Sequence, residues 1–142
     1  MEDKYQSGTL KEYKHWVLTV SFRQTTLGSY IILAKRPMER ITELSDDELL
    51  ELRLAMSEME RVLLQADGFK PDRFNYLQLG NSLHQLHFHG VPRYASPRFY
   101  AEKEWIDHRY GTTPLIVSKS EESEESLVRQ IRDALKPLFE SI

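Results

Sequence analysis

The chain contains no cysteine, so disulfide scaffolds, CxxC redox motifs, cysteine-based zinc sites and thiol nucleophiles are excluded. Basic charge is not in excess, because 19 Lys and Arg stand against 22 Asp and Glu, for a formal net charge of −3. A broad basic surface that would bind a nucleic-acid polymer is therefore not expected. The segment 69–111 is locally basic, with six Lys and Arg against four Asp and Glu, and this balance suits a small anionic ligand.

Long hydrophobic runs are also absent. No apolar run approaches the roughly 18 residues that a membrane-spanning helix needs, and the start of the chain lacks the basic and apolar regions of a signal peptide. We therefore expect a cytoplasmic protein that does not associate with membranes. A length of 142 residues suits a single domain over 1–142, with a core at about 10–95 and a substrate-side loop and C-terminal helix at 95–142.

Local patterns predict an α+β fold with an antiparallel sheet. Segments rich in β-branched and aromatic residues predict strands at 16–22, 29–34, 73–79 and the histidine-rich run that follows, with a short edge strand at 115–117. The capping box that begins at Ser45 predicts a helix, and its core stripe is expected at Leu49, Leu52, Met56, Met59 and Leu63. A C-terminal helix is predicted from about residue 121, and residues 94–114 are expected to be an irregular, functional loop.

The most informative segment is 80–94, which holds three of the five histidines. Side chains alternate between the two faces of an extended strand, so Gln85, His87 and His89 are predicted to share one face and Phe88 to face the core. His84 would point away from that face in a regular strand. A face that carries aligned imidazoles is a candidate functional site.

Three interpretations of this face remain open from the residues alone. Two imidazoles could bind one metal ion, but they would need further ligands, and the sequence has no acid between Asp72 and Glu102. A neutral imidazole could instead act as a nucleophile on phosphorus, with Gln85, His89, Asn81, Ser82 and backbone amides as donors to the phosphoryl oxygens. The histidines could also serve only to bind backbone groups.

The segment 79–94 resembles the signature of the histidine triad (HIT) family of nucleotide hydrolases and transferases. Gln85-Leu86-His87-Phe88-His89-Gly90-Val91-Pro92-Arg93 is similar to the family pattern His-φ-His-φ-His-φ-φ followed by Pro-Arg, with Gln85 in the place of the first histidine. The likeness extends over roughly 10–95, through the strand and basic pair at 27–36 and the helix start at 41–50. It is closest to bacterial-type members with a Gln-x-His-x-His triad.

The resemblance implies a fold of about five antiparallel strands with a capping helix and a C-terminal helix, often paired as a homodimer. It also implies that His87 attacks the α-phosphorus of a nucleotide and carries the nucleotidyl group. His89 would bind the phosphate or the leaving oxygen, Asn81 and Ser82 would contact phosphate oxygens, and Asn75 would orient the substrate. The substrates would be diadenosine polyphosphates, nucleoside phosphoramidates or acyl-adenylates, and no metal or other cofactor is implied.

Two departures from the family pattern bear on activity. Gln85 cannot transfer a proton as an imidazole can, although its amide can still form hydrogen bonds. The Gly-His pair of the family's earlier strand is Gly28-Ser29 here. The sequence therefore predicts a HIT-type hydrolase or transferase in which His87, His89 and Gln85 are catalytic. The alternative is a nucleotide-binding module of the same fold with little or no catalysis.

Overall fold

A computed structural model of the chain describes residues 6–81, 83–114 and 122–141. It contains seven strands and two α-helices within those ranges. In chain order these are β1 (Thr9–Glu12), β2 (Trp16–Val20), β3 (Tyr30–Ala34), α1 (Asp46–Gln65), β4 (Arg73–Leu77), β5 (His87–Arg93), β6 (Arg98–Tyr100), β7 (Lys103–Trp105) and α2 (Glu125–Leu135). A 3₁₀ turn, Ile41–Glu43, precedes α1, and a second, Lys136–Ser141, follows α2.

Five strands form one antiparallel sheet in the order β1-β2-β3-β5-β4, which confirms the predicted α+β architecture. Strands β2 and β3 are the predicted hairpin, with Leu18 opposite Ile32. Strand β5 lies between β3 and β4, so His89 is flanked by Ile31 on one side and Leu77 on the other. This central position gives β5 neighbours on both edges, and its backbone is therefore held by two ladders of hydrogen bonds.

Helix α1 covers the face of the sheet that carries Trp16, Leu18 and Phe88. It begins at the predicted capping box, where the Ser45 hydroxyl accepts a hydrogen bond from the Glu48 backbone N–H and the Glu48 carboxylate accepts one from the Ser45 N–H. Leu52, Met59 and Leu63 are buried as predicted. The helix therefore supplies the main core and leaves the opposite face of the sheet to the histidines.

The prediction for Leu49 was wrong, because its side chain is 52 % exposed. The buried row of α1 is rotated toward Ala55 and Glu58 instead. Glu58 can lie on this face because its carboxylate accepts hydrogen bonds from the Tyr13 hydroxyl, at 2.5 Å, and the Lys11 ammonium, at 2.9 Å. A buried carboxylate with two such partners avoids most of the penalty for leaving water.

The expectation of an irregular loop over 94–114 is corrected in part, since β6 and β7 form a two-stranded antiparallel hairpin there. Its turn residues, Ala101 and Glu102, have positive φ angles of 53° and 60° without the Gly or Asn that usually marks such a turn. Arg98 fastens the hairpin to the loop after α1 by donating to the carbonyl oxygens of Phe69 and Lys70, at 2.6 and 2.7 Å.

The C-terminal helix begins at Glu125, four residues after the predicted start, and buries Val128, Ile131 and Leu135. The edge strand predicted at 115–117 lies outside the described residues. Among the residues that are described, no helix is both long enough and apolar enough to cross a membrane.

Candidate active site

His87 and His89 lie side by side on the face of β5 that points away from α1. Their ring centroids are 4.9 Å apart and the ring planes are nearly perpendicular, at 78°. Phe88, between them, turns to the core and packs against Trp16 with ring centroids 6.0 Å apart. The alternation inferred from the sequence is therefore present from His87 onward, and it separates an apolar face from an imidazole face.

The His87 ring is held in one tautomer by its contact with the backbone. Its Nδ1 lies 2.8 Å from the carbonyl oxygen of Gln85. Because a carbonyl oxygen can only accept a hydrogen bond, the neutral ring must carry its proton on Nδ1. The Nε2 atom then keeps its lone pair, which is the form of imidazole that can attack an electrophile.

His89 is held neutral by its surroundings. Burial lowers the pKa of its imidazole to about 4, and the neighbouring His87 and the cationic Arg23 lower the pKa further in the same direction. At neutral pH the His89 ring therefore has one N–H donor and one acceptor nitrogen. The N–H can donate a hydrogen bond to a phosphoryl oxygen, and the other nitrogen can accept one.

A small apolar cluster lies next to the two histidines, separate from the main core. It consists of Phe22 and Ile31, with Leu83 packed against them. Ile31 is directly opposite His89 in the register, and the Arg23 guanidinium lies over the Phe22 ring at 4.6 Å. The imidazoles are thus bordered by apolar surface and by one positive charge, a combination that suits a ligand with both an apolar and an anionic part.

Gln85 lies before the first residue of β5, so the strand alternation that placed it on the histidine face does not extend to it. Its side-chain amide donates a hydrogen bond to the backbone oxygen of Ala34, the last residue of β3. The backbone carbonyl oxygen of Gln85 is the atom that contacts His87 Nδ1. The structure therefore brings Gln85 next to His87 through its backbone, while part of its side chain is used to join the loop to β3.

Asn75 on β4 is oriented by Arg93, a residue to which no role was assigned from the sequence. Nη1 of Arg93 donates to the Asn75 side-chain oxygen at 2.8 Å. A guanidinium has no acceptor atom, so the Asn75 oxygen must face Arg93 and its NH₂ group must point elsewhere. The residue opposite Asn75 on β5 is Val91, two positions from His89, which places Asn75 on the histidine side of the sheet.

Arg93 also holds the loop that follows the β6–β7 hairpin. It forms a two-pronged ion pair with Asp107, at 2.7 and 3.1 Å, and donates to the carbonyl oxygens of Arg109 and Thr112. Burial alone would raise the pKa of the Asp107 carboxyl, but the hydrogen bonds from Arg93 and from the Tyr94 backbone hold that pKa below its ordinary value. Sequence reasoning missed this link because Arg93 and Asp107 are 14 residues apart in the chain.

The structure shows little of the two residues that were predicted to bind phosphate oxygens. Asn81 lies in the β4–β5 loop with its side chain exposed, and Ser82 lies outside the described residues. Ser29, which stands in the position of a family histidine, is buried and turned into its own loop, where its hydroxyl donates to the Thr26 carbonyl oxygen at 2.9 Å. That loop is closed by Gln24, whose amide nitrogen donates to the carbonyl oxygens of Ser21 and Ser29.

No arrangement for a metal ion occurs in the described parts of the chain, where no group of three or more His, Cys, Asp or Glu side chains is close enough to hold one. The site as described is a pair of imidazoles on a central strand, of which His89 is held neutral, flanked by an amide and by apolar side chains. Such a pair can attack an electrophilic phosphorus and stabilise the displaced charge.

Comparison with known proteins shows the family to which the chain belongs. A model described as the HIT domain matches residues 6–96, more than half of the chain, and the chain therefore belongs to the HIT family. This family in general consists of nucleotide-binding hydrolases and transferases, although some of its members are not catalytic. No curated protein sequence matches the chain significantly.

Solved structures with the same fold are distant in sequence. The chain is 16 % identical to a histidine triad protein from Sinorhizobium meliloti, with 96 % of this chain and 94 % of that one covered and a TM-score of 0.70. A histidine triad protein from Marinobacter aquaeolei is 20 % identical, with 99 % of this chain and 96 % of that one covered and a TM-score of 0.65. A hypothetical histidine triad nucleotide-binding protein from Sulfolobus tokodaii is 17 % identical, with coverages of 94 % and 83 % and a TM-score of 0.68. At these identities the likeness concerns the fold alone.

Proposed function

We propose that the protein is a nucleotide hydrolase or transferase that attacks the α-phosphorus of a nucleoside phosphate conjugate through His87. The observation that carries this proposal is the contact between His87 Nδ1 and the Gln85 carbonyl oxygen, which in the neutral ring directs the lone pair to Nε2, beside the neutral His89. The substrate would be a diadenosine polyphosphate, a nucleoside phosphoramidate or an acyl-adenylate, as is expected of a HIT-family site.

The reaction would proceed in two steps. In the first, Nε2 of His87 forms a bond to the α-phosphorus while the bond to the leaving group breaks, and the leaving group departs with the bonding electron pair and takes up a proton. In the second, water attacks the phosphorus, the bond to His87 breaks, and the nucleoside monophosphate is released with a proton going to solvent. Another acceptor in place of water would make the reaction a transfer.

Each remaining site residue has a proposed part in these steps. His89 would donate its N–H to a phosphoryl oxygen as charge develops there. Gln85 would use the second N–H of its amide, since the first is donated to Ala34. Asn81 and Ser82 would bind phosphate oxygens, and Asn75 would offer its NH₂ group to the substrate because Arg93 occupies its oxygen.

The second candidate is a HIT-fold module that binds nucleotides with little or no turnover. The observation that favours it is the glutamine at position 85, because an amide cannot protonate a leaving group as an imidazole can. For either candidate we expect a cytoplasmic homodimer that needs no metal or other cofactor and does not bind nucleic-acid polymers.

Intact-mass analysis during turnover separates the two candidates. The protein is mixed with adenosine phosphoramidate or with diadenosine tetraphosphate, quenched at short times, and its mass is compared with that of His87→Asn treated in the same way. We expect the protein without the substitution to gain the mass of an adenylyl group and to release AMP. His87→Asn should do neither. Saturable binding of AMP with neither adduct nor product would overturn the enzymatic proposal and favour the binding module.

A further inference from the structure

Arg23 places a positive charge at the border of the histidine face. Its guanidinium lies over the Phe22 ring at 4.6 Å, and Phe22 packs against Ile31, the residue opposite His89. The same charge lowers the pKa of His89, after the larger effects of burial and of the neighbouring His87. Because the interaction between charges weakens with distance, this influence agrees with the packing. The guanidinium is therefore close enough to act on a ligand that contacts the imidazoles.

The surroundings of Arg23 favour the binding of an anion. Only 19 % of its side chain is exposed to water. The apolar surface beside it, formed by Phe22 and Ile31, lowers the local dielectric constant and strengthens the attraction to a negative charge. A guanidinium is also weakly hydrated and presents several N–H donors in one plane, which suits the oxygens of a phosphate group.

A carboxylate from the far end of the chain pairs with Arg23. Nη2 of Arg23 is 3.4 Å from Oε2 of Glu122, whose side chain is 40 % exposed. Hydrogen bonds between charged groups are usually shorter, at about 2.7–2.9 Å. The pair formed by Arg93 and Asp107 is of that kind, since it measures 2.7 Å and its side chains are 3 % and 4 % exposed. The contact with Glu122 is therefore weak by comparison, and another anion can replace it.

Glu122 is kept near Arg23 by its neighbour, Ser123. The Ser123 N–H donates to the Phe22 carbonyl oxygen at 2.7 Å, and the Ser123 hydroxyl accepts from the Gln24 N–H at 3.0 Å. These two bonds join the segment before α2 to the residues on either side of Arg23. They fix the backbone at Ser123, while the exposed carboxylate of Glu122 can still turn away from the guanidinium.

We propose that Arg23 binds an anionic phosphoryl oxygen of the substrate, and that Glu122 pairs with Arg23 until the substrate displaces it. This role rests on the proposed function, since a nucleoside phosphate conjugate carries the anion that takes the place of the carboxylate. The exchange forms and breaks no covalent bond. Because phosphate and carboxylate compete for one guanidinium, Arg23 increases the affinity for phosphorylated ligands and Glu122 decreases it.

Titration calorimetry with AMP and with adenosine, which has no phosphate, tests the role of Arg23. Arg23→Gln should raise the Kd for AMP about 10- to 100-fold, the range expected for a lost hydrogen bond to a charged group, and change the Kd for adenosine less than threefold. Arg23→Lys keeps the charge and should retain most of the affinity for AMP. Arg53→Gln removes the same charge from an exposed position on α1, the helix on the opposite face of the sheet, and should change neither Kd.

The competition by Glu122 is tested in the same titrations. Glu122→Gln should lower the Kd for AMP about two- to fivefold, as is expected when a weak ion pair no longer has to be broken, and leave the Kd for adenosine unchanged. Glu125→Gln is the matched control. It removes the same charge three residues further on, where the carboxylate pairs with Arg129 at 2.8 Å, and it should not change the affinity for AMP.

Each possible failure has a distinct meaning. An equal loss of affinity for AMP and adenosine in Arg23→Gln, or no loss for either, would overturn the role of Arg23 and leave the proposed function standing. Unchanged or weaker binding of AMP in Glu122→Gln would overturn the competition. If the protein without substitutions bound neither ligand and formed no adduct with the substrates, both the proposed function and this inference would be overturned.

Discussion

At its carboxyl end, strand β5 is fastened by the buried Arg93, whose guanidinium binds Asp107, Asn75 and two backbone carbonyl oxygens of the following loop. At its amino end, the strand emerges from a loop in which Asn81 and His84 are exposed and a groove opens to solvent. The two histidines lie between these ends. The carboxyl end is thus held by a buried ion pair, whereas the amino end is held through the Gln85 backbone, which contacts His87, and the loop around it is left able to take up a ligand.

The largest effect on stability is expected at the fastened end. Arg93→Met should lower the free energy of unfolding by about 3–5 kcal/mol, because it leaves the Asp107 carboxylate buried without its cation. Urea denaturation followed by circular dichroism measures this loss. The double variant Arg93→Met/Asp107→Leu should recover a substantial part of it, since no charge is then left unpaired. A loss below about 1 kcal/mol in Arg93→Met would contradict the view that this end is fastened.

The second effect concerns the pH dependence of stability in the middle of the strand. The folded-state pKa of His89 is lowered to about 4 from 6.5, so between these values the unfolded chain binds a proton that the folded chain does not. Stability should therefore fall as the pH falls from about 6.5 to about 4, by up to about 3 kcal/mol. His89→Asn should remove most of this fall, measured as the difference between the unfolding free energies at pH 7 and pH 4. Equal falls in the two proteins would show that His89 is not held neutral by the fold.

The third effect tests how β5 is packed against its neighbours. Tyr30, Gly90 and Tyr76 lie in one row across three strands, and the hydroxyls of the two tyrosines are 2.7 Å apart. A Cβ atom at position 90 would overlap the Tyr30 ring. Gly90→Ala should therefore destabilise the protein by about 1–3 kcal/mol. In combination with Tyr30→Leu the penalty of Gly90→Ala should shrink, and additive losses in that pair would contradict the overlap.

The same contrast explains how far the sequence could predict the structure. The β2–β3 hairpin, the start of α1 at Ser45 and the two faces of β5 from His87 onward follow from local patterns, and all three were predicted correctly. The β6–β7 hairpin was missed because Ala101 and Glu102 make its turn without the residues that favour positive φ. Within the site, the link between Arg93 and Asp107 depends on tertiary contacts that no local pattern contains.

His84 shows the opposite kind of failure. The rule that side chains alternate is correct, but it was applied three residues beyond the point at which the strand begins. The boundary of a strand is set where pairing with its neighbours stops, and here the last β3 residue paired with β5 is Leu33, opposite His87. Sequence alone does not fix that boundary, since Leu86 and Gln85 continue the pattern of apolar and polar residues. The Leu86 carbonyl oxygen still accepts from the Ala34 N–H at 3.0 Å, but the Leu86 N–H donates to Met38 instead of β3.

The smallest loss of stability is expected at the open, amino-terminal end of β5. A substitution there should lower activity while leaving the free energy of unfolding almost unchanged. Asn81 is exposed in the β4–β5 loop, so Asn81→Ala should change the free energy of unfolding by less than about 0.5 kcal/mol. If its amide donates to a phosphate oxygen as proposed, the same variant should lower kcat/KM about 10- to 100-fold, the range expected for a lost hydrogen bond to a charged acceptor. Asn81→Asp, of nearly the same shape, should lower kcat/KM further because it places a negative charge against the phosphate. Unchanged kinetics in both variants would show that Asn81 does not bind substrate. A large loss of stability would show that the loop before β5 contributes to stability as the Arg93 end does.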